Sequence, residues 1–344
     1  MSKITLEDYF KIATDPDREA DLQQYSTIER GAGGVDFQLL PNPALVEVPE
    51  DNKKGFSLIE LANGAERDRR ARRYLRDRIF KPNAPVLVAE GDSWFHFPVL
   101  LKDVIRQLGS DYVVASVGAA GDTAENMLAG DEVKFGTEYL RELSVRKNFV
   151  TAFLFSGAGN DFIGEDPVTK KPSLEMVLND YNGDPNDVQG NINISEVERR
   201  AAILERHYRI MVGRIRQIPE LGAMPIIIHG YANAFPYPWG PNDPRNPVYA
   251  DRDQWLGRAF RSRKFGDDTQ ELRGNIIAFL VERLYGMMFS VAGNSARTRI
   301  WVVDCRPVLG ALDDWADEIH PTDEGFAKVA ALFRNTLSGA LNVS

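Results

Sequence analysis

Five short runs of apolar residues, rich in β-branched side chains, recur along the chain. They are residues 85–90, 112–117, 149–156, 225–229 and 299–304. Their nearly continuous apolar character is typical of strands buried on both faces, as in a parallel sheet. Segments with helical periodicity lie between and after them, at about 98–109, 122–147, 195–217, 269–293 and 322–341. The alternation predicts a doubly wound α/β protein, with a mainly parallel five-stranded sheet and helices on both faces.

Three parts of the chain fall outside this alternation. Residues 1–80 precede the first predicted strand, and we interpret them as a helical and irregular N-terminal extension. Residues 81–344 then form one domain that carries two insertions. The first insertion, 163–194, is rich in Asn, Asp, Pro and Gly, and the second, 231–268, places many aromatic residues among prolines. Aromatic side chains in a long irregular segment beside a strand end often form a pocket wall, although surface packing also explains them.

The end of the N-terminal extension has an amphipathic pattern. In residues 67–81, Ala71, Tyr74, Leu75 and Ile79 share one helical face, and arginines occupy the rest. We expect a helix whose apolar face packs on the sheet domain and whose basic face is solvated. Binding of an anionic surface or partner is the alternative.

Charge and composition limit the function classes. The 344 residues carry a net charge of −9, which argues against a protein that binds duplex nucleic acid by neutralising phosphates. A single cysteine, Cys305, rules out an intrachain disulfide and suits a reducing compartment. The apolar stretch 275–293 is interrupted by Glu282 and Arg283, so we expect a core helix there and no transmembrane segment. The charged N-terminus has no apolar signal region, and we expect a cytoplasmic protein, with signal-independent export left open.

Residues with catalytic potential follow several of the predicted strands. Ser93 follows the first strand, Gly121 the second, Asn160 the third, and Asp317 and His320 follow the fifth. Each alone has a simpler reading, such as a turn or a helix start, because Gly, Asp, Ser and Asn all favour turns. Together they supply a nucleophile, a backbone donor, an amide donor and a carboxylate–imidazole pair. Since ligands bind at the carboxyl ends of parallel strands, these groups can converge.

These stretches resemble the four sequence blocks of the SGNH (GDSL-like) hydrolase superfamily. The matching residues are Gly91-Asp92-Ser93, Gly121 in AGDT, Asn160 in GND, and Asp317-x-x-His320. The resemblance covers about residues 85–165 and 298–335. It implies a flavodoxin-like sheet with strand order 2-1-3-4-5 and a serine esterase or lipase activity.

The resemblance also implies a role for each matching residue. Ser93 would be the nucleophile, and His320 its base, oriented by Asp317. The backbone N–H groups of Ser93 and Gly121 and the side-chain amide of Asn160 would form the oxyanion hole. The chain departs from the usual pattern at Trp94, Ser116 and Ala158, where the family more often has Leu, Asn and Gly. These departures bear on the substrate more than on the chemistry.

The substrate pocket is expected to include Trp94, His96 and Phe235. His96 is also a rival base, but no carboxylate is spaced to orient it. The ordinary α/β-hydrolase elbow Gly-x-Ser-x-Gly fits less well, since Phe95 stands where its last glycine should be. Residues 179–187 suggest a calcium loop, yet they lack the glycine and closing glutamate of an EF-hand. We therefore expect neither a metal nor a cofactor.

The sequence thus favours a carboxylic ester hydrolase that works through an acyl-enzyme. Its substrate is a small-molecule, lipid or carbohydrate ester. Two alternatives share the same residues: an acyltransferase, in which an acceptor hydroxyl replaces water, and a catalytically idle domain that only binds.

Overall fold

The computed structural model describes residues 3–30, 37–48, 56–97, 100–129, 138–164, 172–247 and 249–342. The strands, in chain order, are β1 (Ile4–Thr5), β2 (Ser26–Arg30), β3 (Phe37–Pro41), β4 (Val46–Glu47), β5 (Val86–Gly91), β6 (Val113–Ser116), β7 (Val150–Ser156), β8 (Ile226–His229) and β9 (Ile300–Val303).

The helices of the described residues surround these strands. They are α1 (Leu6–Thr14), α2 (Glu19–Tyr25), α3 (Phe56–Phe80), α4 (Val104–Leu108), α5 (Ala124–Ala129), α6 (Glu138–Arg146), α7 (Gly159–Ile163), α8 (Ser173–Val177), α9 (Ile194–Arg216), α10 (Gly257–Ser262), α11 (Gln270–Ala292), α12 (Ser295–Thr298) and α13 (Asp323–Asn342). Short 3₁₀ turns cover Pro219–Leu221, Asp267–Thr269 and Leu312–Asp314.

Strands β5 to β9 form one parallel sheet in the order β6-β5-β7-β8-β9. All five predicted strands are present, and their order is the 2-1-3-4-5 order that the resemblance implies. Gly91, Ser156 and His229 lie side by side in register at the carboxyl ends of the three central strands. The α/β prediction is therefore confirmed, and the sheet brings the segments that follow these strands to one edge.

The helices differ from the periodicity in several places. The helix expected at 98–109 covers only Val104–Leu108, because the Asp103 carboxylate caps it by accepting the Arg106 backbone N–H at 2.9 Å. Within 122–147 the structure has α5 and α6, and residues 130–137 between them lie outside the described part. The first insertion contains the short helix α8.

The apolar helix α11 contacts both α9 and the β8–β9 side of the sheet. By length and composition alone the segment Asp267–Ala292 could cross a membrane, but 56% of its most apolar window is buried inside the protein. More than half of this apolar window is therefore packed against other parts of the protein.

The N-terminal extension has its own small apolar core and reaches the sheet through α3. The small core is formed by Tyr9, Ile12, Ala13, Leu22 and Val46. The expected packing of α3 is wrong: Leu75 and Ile79 are 60% and 73% exposed, whereas Arg69 is buried.

Ion pairs and backbone contacts explain this reversed orientation. The Arg69 guanidinium donates to Glu19 of α2 at 2.8 Å, and Arg70 donates to the Gly118 carbonyl at 2.6 Å, just after β6. The arginine face of α3 therefore joins the extension to the sheet domain, and part of its apolar face meets solvent.

We expect Arg69→Leu to lower the free energy of unfolding by about 1–3 kcal/mol, because it removes a buried guanidinium that donates to Glu19. Arg73 and Arg106 also pair with the Glu19 carboxylate and limit the loss. Leu75→Gln should change it by less than about 0.5 kcal/mol, as is usual at exposed sites. Urea denaturation of both variants measures the difference. A larger loss from Leu75→Gln would mean that the apolar face is the packed one.

Candidate active site

Ser93 lies in a tight corner directly after β5. The Asp92 N–H donates to the Ser156 carbonyl at 3.0 Å, and the Trp94 N–H donates to the Asp92 carboxylate at 3.0 Å. Gly91 permits the close approach of β7, since a Cβ on it would come within 2.7 Å of the Ser156 side chain. The corner is thus a turn, as its residue types suggest, and it also presents Ser93 at the carboxyl edge of the sheet.

A continuous chain of hydrogen bonds joins Ser93 to His320 and Asp317. The Ser93 Oγ lies 2.8 Å from His320 Nε2, and His320 Nδ1 lies 2.7 Å from Asp317 Oδ2. All three residues are at most 4% exposed. With Nδ1 protonated toward the carboxylate, Nε2 is left as the acceptor for the serine hydroxyl, which is the arrangement that a general base needs.

The Asp317 carboxylate is held from several sides. Its Oδ1 accepts the backbone N–H groups of Ile319 and His320, both at 2.7 Å. Its Oδ2 also accepts the Tyr249 hydroxyl at 2.9 Å. These bonds fix the plane of the carboxylate and, through it, the orientation of the imidazole.

Asn160 and Gly121 stand on neighbouring segments that are bonded together. Asn160, 6% exposed, is the second residue of α7 and donates its side-chain amide to the Asp122 carbonyl at 2.8 Å. The next residue, Asp161, accepts the backbone N–H groups of Ala124 and Glu125 at the start of α5. Gly121 has the left-handed φ of 81° that glycine adopts easily. One N–H of the Asn160 amide therefore holds its loop to the Asp122 segment, and the second N–H can donate to a ligand.

Ala158, directly before α7, has a left-handed backbone conformation, which glycine adopts more easily. The SGNH sequence pattern more often has glycine at this position. The Ala158 φ of 97° is strained for a residue with a Cβ. The strain lies two residues before Asn160, where backbone outliers often accompany functional geometry.

A mostly apolar cavity, partly open to solvent, adjoins Ser93 and Asn160. Trp94 lines it, as expected. His96 does not: it is buried and lines a separate cavity with Arg69 and Arg70. Phe235 is also absent from the lining, and its ring packs on Trp239 and on Trp315, which does line the cavity.

Several contacts at the site were not anticipated. Glu318, fully buried, accepts four backbone N–H groups of the second insertion at 2.6–2.9 Å, from Tyr237, Trp255, Leu256 and Gly257. Arg245 donates to the Asp317 carbonyl at 3.1 Å, and the Tyr231 hydroxyl donates to the Asp92 carboxylate. The aromatic content of the insertion was the only sequence signal for these contacts.

Burial dominates the electrostatics around the site. It raises the pKa of Asp92 to about 6 against three hydrogen bonds that favour the ionised form, and it raises the pKa of Glu318 to about 7. Burial and then Arg70 lower the pKa of His96 well below its ordinary value. His229, stacked on Phe95 at the end of β8, has its pKa lowered to about 4 by burial. Both His96 and His229 are thus neutral at pH 7.

Within the described ranges, no group of three or more His, Cys, Asp or Glu residues is arranged to hold a metal ion. The residues of the calcium-like stretch bond instead to one another and to backbone. Asn182 donates to Asp187 at 2.9 Å, and Asn191 donates to the Asp187 carbonyl at 2.7 Å.

Comparison with known proteins gives structural neighbours only. No family model matches the sequence. No curated protein matches it either. Similar solved structures include a phospholipase A1 from Streptomyces albidoflavus (12% identity, TM-score 0.42, covering 73% of this chain and 99% of that one) and an aryl esterase from M. smegmatis (13%, 0.41, 75% and 100%). An extracellular lipase from Streptomyces rimosus is similar at 13% identity and TM-score 0.40, with 73% and 99% covered.

These neighbours are esterases and lipases by name, the class that the four sequence blocks imply. At such identities and TM-scores the likeness carries no further argument. What the site can do chemically follows from its own contacts.

Glu90 lies next to the Ser93 corner, and its titration should make the free energy of unfolding depend on pH. Burial, aided by Asp122, raises its pKa from 4.5 to about 8. The folded protein therefore holds this proton more tightly than the unfolded chain. The resulting stabilisation is complete below about pH 4.5 and is lost as the pH rises through 8.

In the wild type, the Glu90 contribution makes the free energy of unfolding fall as the pH rises from about 5 to 8. We expect Glu90→Gln to reduce the slope of this fall by up to about 1.4 kcal/mol per pH unit. Glutamine keeps an acceptor for the Gly91 N–H, which Glu90 accepts at 3.0 Å. Urea denaturation across this pH range measures the slope, and the exposed Glu271→Gln controls for the loss of one negative charge. An unchanged slope in Glu90→Gln would contradict the assignment.

Proposed function

We propose that this chain is a serine hydrolase that cleaves carboxylic esters through a covalent acyl-enzyme. The observation that carries the proposal is the buried hydrogen-bonded chain from Asp317 through His320 to Ser93. A serine hydroxyl is a weak nucleophile unless an oriented base takes its proton. The three residues supply the hydroxyl, the base and the carboxylate that orients the base.

Acylation begins when Ser93 Oγ attacks the ester carbonyl carbon and His320 Nε2 accepts the hydroxyl proton. The ester C–O bond then breaks, and His320 gives that proton to the departing alcohol oxygen. In the second half-reaction His320 takes a proton from water, whose oxygen attacks the acyl carbon. The bond from that carbon to Ser93 Oγ then breaks, His320 returns the proton to Ser93 Oγ, and the acid is released. Asp317 accepts the hydrogen bond from His320 Nδ1 and stabilises the imidazolium that forms in each half-reaction.

The oxyanion is bound by the backbone N–H groups of Ser93 and Gly121 and by the Asn160 amide. Asn160 suits this role because its loop is fixed by the bond to the Asp122 carbonyl and its second N–H can meet the oxyanion. A donor held in place before the reaction costs no reorganisation when charge develops. One such donor contributes about 10²–10³ in kcat.

A serine-directed organophosphonate should add covalently to Ser93, and Ser93→Ala should abolish both the adduct and turnover of short-chain p-nitrophenyl esters. Intact-mass measurement and peptide mapping locate the adduct. Labelling at another residue, or an adduct that persists in Ser93→Ala, would refute the nucleophile. A folded wild-type protein with neither adduct nor turnover would favour the idle binding domain.

His320→Ala should lower kcat by about a thousandfold or more, as loss of one member of a catalytic unit does. His96→Ala is the matched control, because His96 is also a buried imidazole near the corner but faces another cavity. Its kcat should fall less than about tenfold. Steady-state kinetics on both variants, with melting curves to establish folding, decide the assignment, and a reversed order of losses would overturn it.

A further inference from the structure

One wall of the cavity beside Ser93 is formed by α11, which lies outside the stretches that carry the family resemblance. Ile277, Leu280, Val281 and Leu284 of α11 line it, at spacings that place them on one helical face. The Ser93 corner, α7, the segment around Trp315 and the second insertion provide the other walls. The second insertion and α11 therefore set part of the shape of the cavity.

Apart from the indole N–H groups of Trp94 and Trp315, which donate to backbone carbonyls, the described lining has four polar side chains. They are Asp92, Ser93, Asn160 and Tyr231. Asp92 and Tyr231 are bonded to each other, which leaves Ser93 and Asn160 to face a ligand. Along α11, the lining side chains of the described residues carry no hydrogen-bonding group.

An apolar lining of this kind distinguishes polar ligand groups from apolar ones. A sugar or other polyhydroxy group placed against α11 would lose its hydrogen bonds to water and gain none, which costs about 1–3 kcal/mol for each unpaired group. An alkyl chain there removes apolar surface from water on both sides. The cavity therefore favours an extended apolar group over a carbohydrate.

We propose that this cavity binds the acyl chain of the substrate, so that the preferred substrates are esters of alkyl carboxylic acids longer than acetate. The inference rests on the proposed function, since it takes Ser93 as the acylated residue. The acyl carbon becomes bonded to Ser93 Oγ as the ester C–O bond breaks, and the alcohol departs with the proton from His320. The acyl group thus occupies the site through both half-reactions, and the alcohol through only one.

Chain-length dependence tests the proposal directly. Along p-nitrophenyl esters from acetate to dodecanoate, kcat/KM should rise about fourfold for each added methylene, equivalent to about 0.8 kcal/mol of burial, until the cavity is full. Acetate esters of alkyl alcohols of increasing length should show no comparable rise. A flat acyl series, or a rise in the alcohol series alone, would overturn the proposal.

Substitutions in α11 test where the chain lies. Val281→Phe should lower the decanoate-to-acetate ratio of kcat/KM at least tenfold by filling the cavity. Val281→Ala should move the optimum toward longer chains. Phe289→Trp is the matched control: Phe289 is on the same helix, is 47% exposed and does not line the cavity, so the ratio should not change.

The ratio within one variant is insensitive to the fraction of folded enzyme, so partial misfolding of a variant does not confuse the result. An unchanged ratio in both Val281 variants would refute binding against α11. Failure of the proposed function is a different result, namely no phosphonate adduct at Ser93 and no turnover of any ester, acetate included.

Discussion

The segment Asp317–His320 carries three ionisable groups into the protein interior, and each must find partners there, because an unpaired buried polar group costs about 1–3 kcal/mol. Asp317 is satisfied by two backbone N–H groups, His320 and Tyr249. Glu318 takes four backbone N–H groups of the second insertion. The insertion is therefore folded around this short segment, and the orientation of His320 depends on it.

The same requirement joins this segment to the Ser93 corner. The Trp94 indole N–H donates to the Ile319 carbonyl at 3.0 Å. Trp94 follows the proposed nucleophile Ser93 and Ile319 precedes the proposed base His320, so this bond links the two segments. Tyr231, from the second insertion, donates to Asp92 beneath the corner. Ser93 and His320 lie 227 positions apart in sequence, yet these bonds hold the two segments together. The replacement of the family's usual leucine by Trp94 thus has a structural role.

The sequence predicted the sheet well because a strand buried on both faces has to be apolar along its whole length. The runs at 85–90 and 149–156 show this directly, and they became β5 and β7. The orientation of α3 could not be predicted in the same way. Its apolar stripe indicated the packed face, but the partners of its arginine face, Glu19 and the Gly118 carbonyl, lie far away along the chain. Periodicity reports the faces of a helix and does not identify which neighbour each face meets.

The sequence by itself determined the α/β class, the strand order through its resemblance, and the residues Ser93, Asn160, Asp317 and His320 as the groups to examine. These depend on residue type and local spacing, which are present in the chain before it folds. Only the tertiary structure decided that His96 and Phe235 stand outside the cavity, that Tyr249 bonds to Asp317, and that Glu318 bonds to the second insertion. Those outcomes depend on which buried polar groups and which apolar faces meet. Such long-range pairings are selected by the free energy of the whole fold, and no short stretch of sequence contains them.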